Sequence, residues 1–320
     1  MRTPVALIIF NRPDTTERVF AEIAKAKPPK LFVVADGPRS DRPADAEKCA
    51  AARAVIERVD WECEVLKNYS DLNLGCGRRP ATGISWVFEK VEEAIILEDD
   101  CVPHPTFFPF CEELLEKYRD DERVMHISGS NFQFGHKRGP FSYFFSRHNC
   151  VWGWATWRRA WRHHDIKIKL WPALRDTPLL VDILGDPRAV EGWQRILDGA
   201  FAGAGNVDYW DYQWTFACWA QSGLSVGPNT RLISNIGFGD QATHTKSNNK
   251  RIANLPTAGM VFPLQHPPYV VRNLDADRFT IEEVFLAHLP KKTSFYRKLR
   301  GKFSDVVPAP VRKVISSLGG

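Results

Sequence analysis

Residues 94–100 read Ala-Ile-Ile-Leu-Glu-Asp-Asp, an apolar run ending in three consecutive carboxylates, Glu98, Asp99 and Asp100. Adjacent acids repel one another unless protons or a cation neutralise them. Hard oxygen ligands of this kind suit Mg²⁺ or Mn²⁺, which commonly bridge one or two protein carboxylates to substrate phosphates. An isolated acidic triplet is otherwise a solvated turn. A second carboxylate of interest is Asp211, in Asp208-Tyr-Trp-Asp-Tyr-Gln-Trp214. Flanked by Trp210 and Tyr212, it is expected to be partly desolvated, which raises a carboxyl pKa and suits a general base. Asn11, Arg12 and Asp36 each follow an apolar run and carry groups able to hydrogen-bond a nucleobase or ribose edge, although Asn and Asp also close turns. Arg78 and Arg79 follow Gly75 and Gly77 just before a predicted helix, where backbone N–H groups and a guanidinium can hold phosphate oxygens. As plain surface arginines they would need no such role.

These residues need elements to position them. Residues 4–10 form an apolar run suited to a buried strand, closed by Asn11-Arg12-Pro13, and a helix begins at Pro13 with Val19, Phe20 and Ile23 at helical spacing. Residues 30–36 are a second strand ending in an acid. A helix over about 43–59, a strand at 64–68 and a helix over about 81–93 lead to the strand that carries the triplet. Four apolar residues with two Ile fit burial on both faces of a parallel sheet. The alternation predicts a doubly wound α/β domain, mostly parallel, with helices on both faces and the acids at a strand's carboxyl end, where such sheets bind ligands. A helix over 105–119 and strands at 124–128 and 225–233 continue the pattern. Phe141 to Phe145 and Val151 to Trp161 are aromatic-rich around Gly153, suiting either a sugar-binding cleft or a core. Gly237 to Thr245 is a flexible Gly-rich loop carrying His244.

The whole-chain numbers narrow the classes. The 320 residues, 44% of them hydrophobic, suffice for a large core. A net charge of +5 with dispersed Lys and Arg does not point to nucleic acid and fits anionic small molecules or an anionic membrane surface better. Seven scattered cysteines without a Cys-x-x-Cys pair suit a reduced, cytoplasmic compartment. No run of 18 apolar residues occurs, so neither a signal peptide nor a membrane span is expected.

In chain order, Asn11-Arg12, Asp36, Asn73-Leu74-Gly75, Glu98-Asp99-Asp100 followed by Pro105-Thr-Phe-Phe, Gly153-Trp154, Trp210-Asp211 and a late Gly-Phe-Gly loop with His244 resemble GT-A fold nucleotide-sugar glycosyltransferases. The nearest named relatives are N-acetylglucosaminyltransferase I and its bacterial homologues, over residues 4–245. The resemblance implies a GT-A domain over 1–290, with a nucleotide-sugar half (1–130) and an acceptor half (131–290). It implies Mn²⁺ or Mg²⁺ on Asp100, and Asp99 toward the ribose or donor sugar. Asp36 and Arg12 correspond to uracil contacts, with Asn11 where the compared enzyme has Asp. Asp211 matches the catalytic base, with Tyr212 in place of a second acid, and Trp154, Glu98 and His244 fall on the donor side. The implied reaction is inverting transfer from a nucleotide sugar, UDP-linked by expectation, to a glycan or lipid-linked acceptor in surface polysaccharide synthesis. The alternatives are a sugar-phosphate nucleotidyltransferase, which would want a Gly-rich, Lys-bearing first turn that this chain lacks, or a non-catalytic carbohydrate-binding protein.

Residues 291–320 differ in composition. Six Lys and Arg within 291–302 surround Phe295, Tyr296 and Leu299, and Val311, Val314, Ile315 and Leu318 follow at nearly helical spacing. Such a basic amphipathic tail suits peripheral attachment to the inner, anionic face of a cell membrane. A solvated tail or a helix docked on the domain is the other reading.

Overall fold

The computed structural model describes residues 1–203, 209–238 and 252–286. His244, most of the Gly-rich loop, Asp208 and the basic tail from 291 onward lie outside the described residues. Among the described residues, no helix is long and apolar enough to cross a membrane.

The first half alternates as its periodicity requires: β1 (Val5–Ile9), α1 (Pro13–Ala26), β2 (Lys30–Ala35), α2 (Ala44–Ile56), β3 (Glu64–Tyr69), α3 (Gly75–Lys90) and β4 (Glu93–Glu98). α1 starts with Pro13, which has no N–H to leave unpaired, and stops at Lys27 in the left-handed conformation. Then come β5 (Cys101–Pro103), α4 (Phe107–Lys117), β6 (Val124–Ser128), β7 (Tyr143–Ser146) and β8 (Trp154–Trp157). A helical region follows, with α5 (Arg158–Trp161), α6 (Trp171–Leu174), α7 (Leu179–Leu184), α8 (Pro187–Phe201) and α9 (Asp211–Ala220). The last described elements are β9 (Leu224–Pro228), β10 (Ile233–Asn235) and α10 (Leu274–Thr280), which runs on into a π-helical turn, Ile281–Phe285.

Eight strands form one sheet in the order β3-β2-β1-β4-β8-β6-β9-β7. β1 pairs in parallel with β2 and β4, β2 with β3, and β6 with β9. β8 and β7 run against their neighbours. The architecture is therefore the expected α/β sheet, mostly parallel and covered by helices on both faces. It runs without a break across residue 130, since β6 to β9 join the sheet of β1 to β4.

Side chains alternate strictly. Val5, Leu7, Ile9, Leu31, Val33, Ile95 and Leu97 enter one core with α1 and α4, whereas Ala6, Ile8, Phe32, Val34, Ala94 and Ile96 enter another with α3 and α9. Burial on both faces is what makes these strands unbroken apolar runs. A third cluster, with Trp171, Trp193 and Trp219, fills the helical region.

Two expectations are corrected. α3 begins at Gly75 rather than near residue 81, so Arg78, Arg79 and Pro80 lie inside it. Residues 225–233 do not form one strand: the chain leaves the main sheet after β9, and β10 pairs with β5 in a separate two-stranded sheet.

Beneath β8, His126 is fully buried and stacks on Trp154 with ring centroids 4.9 Å apart. Trp214 Nε1–H donates to its Nδ1 at 3.2 Å, and its own Nε2–H donates to the Cys150 carbonyl at 3.0 Å. That pairing requires a neutral ring, and burial pulls the His126 pKa down to about 3. Because the unfolded chain, with a His pKa of about 6.5, binds the proton more readily, this contribution is present above pH ~6.5 and is lost as pH falls toward the folded value. In denaturant unfolding, wild type should lose up to about 2–3 kcal/mol more than His126→Gln between pH 6.5 and 4.5. Parallel losses in the two proteins would remove His126 from the acid sensitivity.

Candidate active site

β1 and β4 are parallel neighbours from which the chain departs in opposite directions, the kind of switch point at which open α/β sheets bind ligands. Ile8 sits opposite Glu98, so the residues leaving both strands share one layer. A cleft of about 600 Å³ opens there, lined by Phe10, Arg12, Asp36, Arg39, Arg79, Glu98, Asp99, Asp100, Trp152, Asp211 and Asn235, among others.

Arg12 organises the acids. Its guanidinium meets Asp99 Oδ1 at 2.8 Å and Asp100 Oδ2 at 2.9 Å, and the Phe10 N–H donates to Asp99 Oδ2 at 3.1 Å. Burial alone would discharge Arg12, but the charges of Asp99 and Asp100 hold its pKa above the ordinary value. Burial lifts Asp99 to about 6 against the pull of Arg12, and the charge of Asp100 adds to the rise. Glu98 is pushed well above the carboxylate range, by burial first and then by the charges of Asp100, Asp99 and Asp211. Asp211 thus lies near enough to the triplet to act on it, although 112 residues separate the two in sequence.

β10 closes this corner. The Ile236 N–H donates to the Asp100 carbonyl at 2.8 Å, and the next residue, Gly237, packs so closely that a Cβ there would lie 1.9 Å from Asp100 Oδ2. No side chain fits at that position.

The remaining expected residues divide. Asp36 lines the cleft, but its carboxylate accepts four hydrogen bonds: from the Gly37 and Leu74 N–H groups at 2.9 Å, and from the Gly75 N–H and Asn73 Nδ2–H at 3.0 Å. It caps α3 from 39 residues away, which explains the early helix start. Burial raises its pKa despite those bonds. Arg79 also lines the cleft and ties β2 to β3 by donating to the Ala35 carbonyl at 3.1 Å and to Asn68 Oδ1 at 2.9 Å. Arg78 is exposed and is not among the lining residues. Asn11 donates to Asp45 Oδ1 at 2.8 Å instead of lining the cleft.

Trp154 is a correction. It is fully buried at Ile96's partner position in β8, among His126, Trp161, Trp210 and Trp214, and does not reach the cleft. Trp157 and Trp161 are core as well. β8 runs antiparallel to β4, so the residues preceding it, Trp152 and Gly153, emerge at the carboxyl end of β4 beside the acids. Trp152 therefore lines the cleft, as does Trp210, the residue before α9.

Arg39 was also missed. It follows β2 much as Arg12 follows β1, pairs with Asp45 and lies 5.3 Å from the Phe10 ring centroid. The repeated strand, turn and arginine pattern was the available signal.

Asp211 is the first residue of α9, where a helix end stabilises negative charge. Its neighbour Tyr212 packs edge-on to Trp193 and Tyr209, and burial followed by the Asp211 charge pushes its phenol up to about 12.

Among the described residues, no three His, Cys, Asp or Glu side chains gather into a metal-holding group. Asp100 Oδ2 is paired with Arg12, while among the described residues Oδ1 accepts from Cys101 Sγ at 3.4 Å and Asn235 Nδ2 at 3.5 Å. The donor set fits a cation held by one carboxylate and completed by substrate phosphates, the usual Mg²⁺ arrangement, rather than an all-protein cage.

No protein-family model matches the chain, and no curated protein matches it. Among solved structures it is similar to S. aureus TarS 1-349, at 10% identity and TM-score 0.35 over 52% of this chain and 50% of that one, so it spans half the length of TarS 1-349. It is also similar to mouse xyloside xylosyltransferase 1 in its apo form, at 12% identity and TM-score 0.35 over 69% of this chain and 84% of that one.

Removing Arg12 should expose the cost of the acids. Arg12→Met is expected to lose about 3–5 kcal/mol near pH 8, as breaking a buried pair typically does. Without the guanidinium the Asp99 pKa rises further above its unfolded value of about 3.9, so the penalty grows with pH and shrinks toward pH 5 as the carboxyl takes a proton. Denaturant unfolding at both pH values checks this; a small, pH-independent loss would show that the acids are neutralised otherwise.

Proposed function

We propose that the chain is an inverting GT-A type glycosyltransferase that moves a sugar from a nucleotide sugar, with UDP-sugars the first to test, to a hydroxyl of a glycan or lipid-linked acceptor. The observation that carries this reading is the cleft: acids and arginines at the carboxyl ends of β1, β2 and β4 face a single carboxylate, Asp211, delivered by a helix from the other half of the chain.

Breaking an anomeric carbon–oxygen bond builds positive charge on the sugar and negative charge on the departing diphosphate, and both need stabilising. Arg12 and Arg39 bring positive charge to the donor side, and the acids of β4 suit the developing charge on the sugar. Asp100 is the residue that would hold a divalent cation, which when bound supplies further positive charge against the diphosphate. Asp211 accepts the acceptor hydroxyl proton as that oxygen bonds to the anomeric carbon and the electron pair of the old bond leaves with the diphosphate. One base and no covalent nucleophile give inversion.

The test is nucleotide release from a panel of nucleotide sugars with Mn²⁺. Asp211→Asn keeps shape but not basicity, so kcat should fall roughly 10²–10⁴-fold with donor affinity little changed; loss of donor binding instead would move Asp211 into the nucleotide pocket. Asp100→Ala should abolish the divalent-dependent turnover while the fold persists, and full wild-type activity in excess chelator would sink the metal role.

A further inference from the structure

A second chamber, of about 210 Å³, lies on the other side of Asp211 and shares Val151, Trp152, Asp211 and Tyr212 with the cleft. Trp152 is the partition. Its ring meets Phe132, on the chamber side, edge-on at 5.3 Å and Phe238, on the cleft side, edge-on at 5.6 Å.

The two spaces differ in charge. The cleft gathers Arg12, Arg39 and Arg79 with its acids, whereas Asp211 is the one Asp, Glu, Lys or Arg among the described residues lining the chamber. His148 lines it too, held between Trp219 and Phe285, and burial lowers its pKa, favouring the neutral ring. Arg231, whose guanidinium lies 5.6 Å from the Phe132 ring centroid, is not a lining residue. The rest of the wall combines an aromatic face, with Phe132, Trp152, Trp193, Tyr212 and Phe285, and uncharged polar side chains that include Ser130, Gln133, Asn149 and Thr215. Two lining side chains carry buried nitrogens with no hydrogen-bond partner among the described residues, His148 at both ring positions and Asn149 at Nδ2. Asn149 Oδ1 accepts from Thr215 Oγ1–H at 2.7 Å. A buried donor is destabilising in this state until something accepts from it.

We propose that this chamber is the acceptor subsite and that it takes an uncharged sugar ring, its apolar face against the aromatic wall and a hydroxyl presented to Asp211. The proposal rests on the glycosyltransferase reading and narrows it. An acceptor bearing a phosphate or carboxylate on the reacting residue would bring negative charge beside the Asp211 carboxylate with no cation among the described residues of the wall to offset it, and desolvating such a charge is expensive. A neutral ring has no such cost, and its hydroxyls can satisfy Asn149. At 210 Å³ against 600 Å³, the chamber has about a third of the cleft's volume, matching one ring against a nucleotide sugar.

The experiment is a saturation-transfer NMR titration of the whole protein, with UDP and Mg²⁺ present, using alkyl glycosides of neutral hexoses and N-acetylhexosamines alongside hexose 6-phosphates and alkyl glycuronides. Neutral glycosides should bind. Phe132→Ala should weaken them at least tenfold, with a smaller loss in Phe132→Leu, which keeps an apolar side chain there, and unchanged UDP affinity in both. Phosphates or glycuronides binding as tightly as neutral glycosides in a Phe132-dependent way would overturn the proposal, as would neutral binding indifferent to both substitutions. UDP binding without any glycoside binding overturns the chamber assignment alone; absence of both overturns the glycosyltransferase reading as well.

Discussion

Three acids at one strand end are tolerable only with positive charge from elsewhere, and that requirement shapes the centre of this molecule. β4 must lie beside β1 for Arg12 to reach Asp99 and Asp100 together, and Phe10 must leave β1 in register to donate its N–H to Asp99. β10 then has to approach closely enough that only glycine fits at 237. The parallel pairing of β1 with β4, the positions of Arg12 and Phe10 and the approach of β10 all converge on one electrostatic problem. A site under such internal tension suits binding, because a ligand bringing its own charges alters a balance that is already close.

Much of the fold was legible because the physics was local. Apolar runs of strand length alternating with helical periodicity marked β1 through β4, and the acid-ended strands marked the cleft edge. What failed was non-local. The α3 start depends on Asp36, 39 residues back, accepting from Leu74 and Gly75, and no local cap announces it. Nothing within 225–233 shows that β10 leaves the main sheet to pair with β5.

The site was legible by residue type and less so by role. Arg12, the triplet and Asp211 come together. Asp36, Arg79 and Asn11 have much of their bonding capacity engaged in holding the walls, because strand-end polar residues must pair with exposed backbone as well as with any ligand. Among the tryptophans, composition gives no means of telling wall from core. Trp152 and Trp154 are two residues apart, in the same aromatic run, and one lines the cleft while the other is sealed in the sheet.

That difference follows from strand direction. A strand parallel to β4 would have put its own carboxyl end at the cleft and left Trp152 at the opposite edge of the sheet. β8 runs the other way, so its entrance, Trp152-Gly153, stands at the acids, and position 153 takes glycine both for its positive φ and because a Cβ there would meet Ile233. The same reversal sets Trp154 against Trp210 and Trp214, the residues that fix the first turn of α9. The tryptophan cluster is thus the rigid support that aims Asp211 at the cleft, and buried aromatic packing in one core sets the position of a carboxylate at its rim.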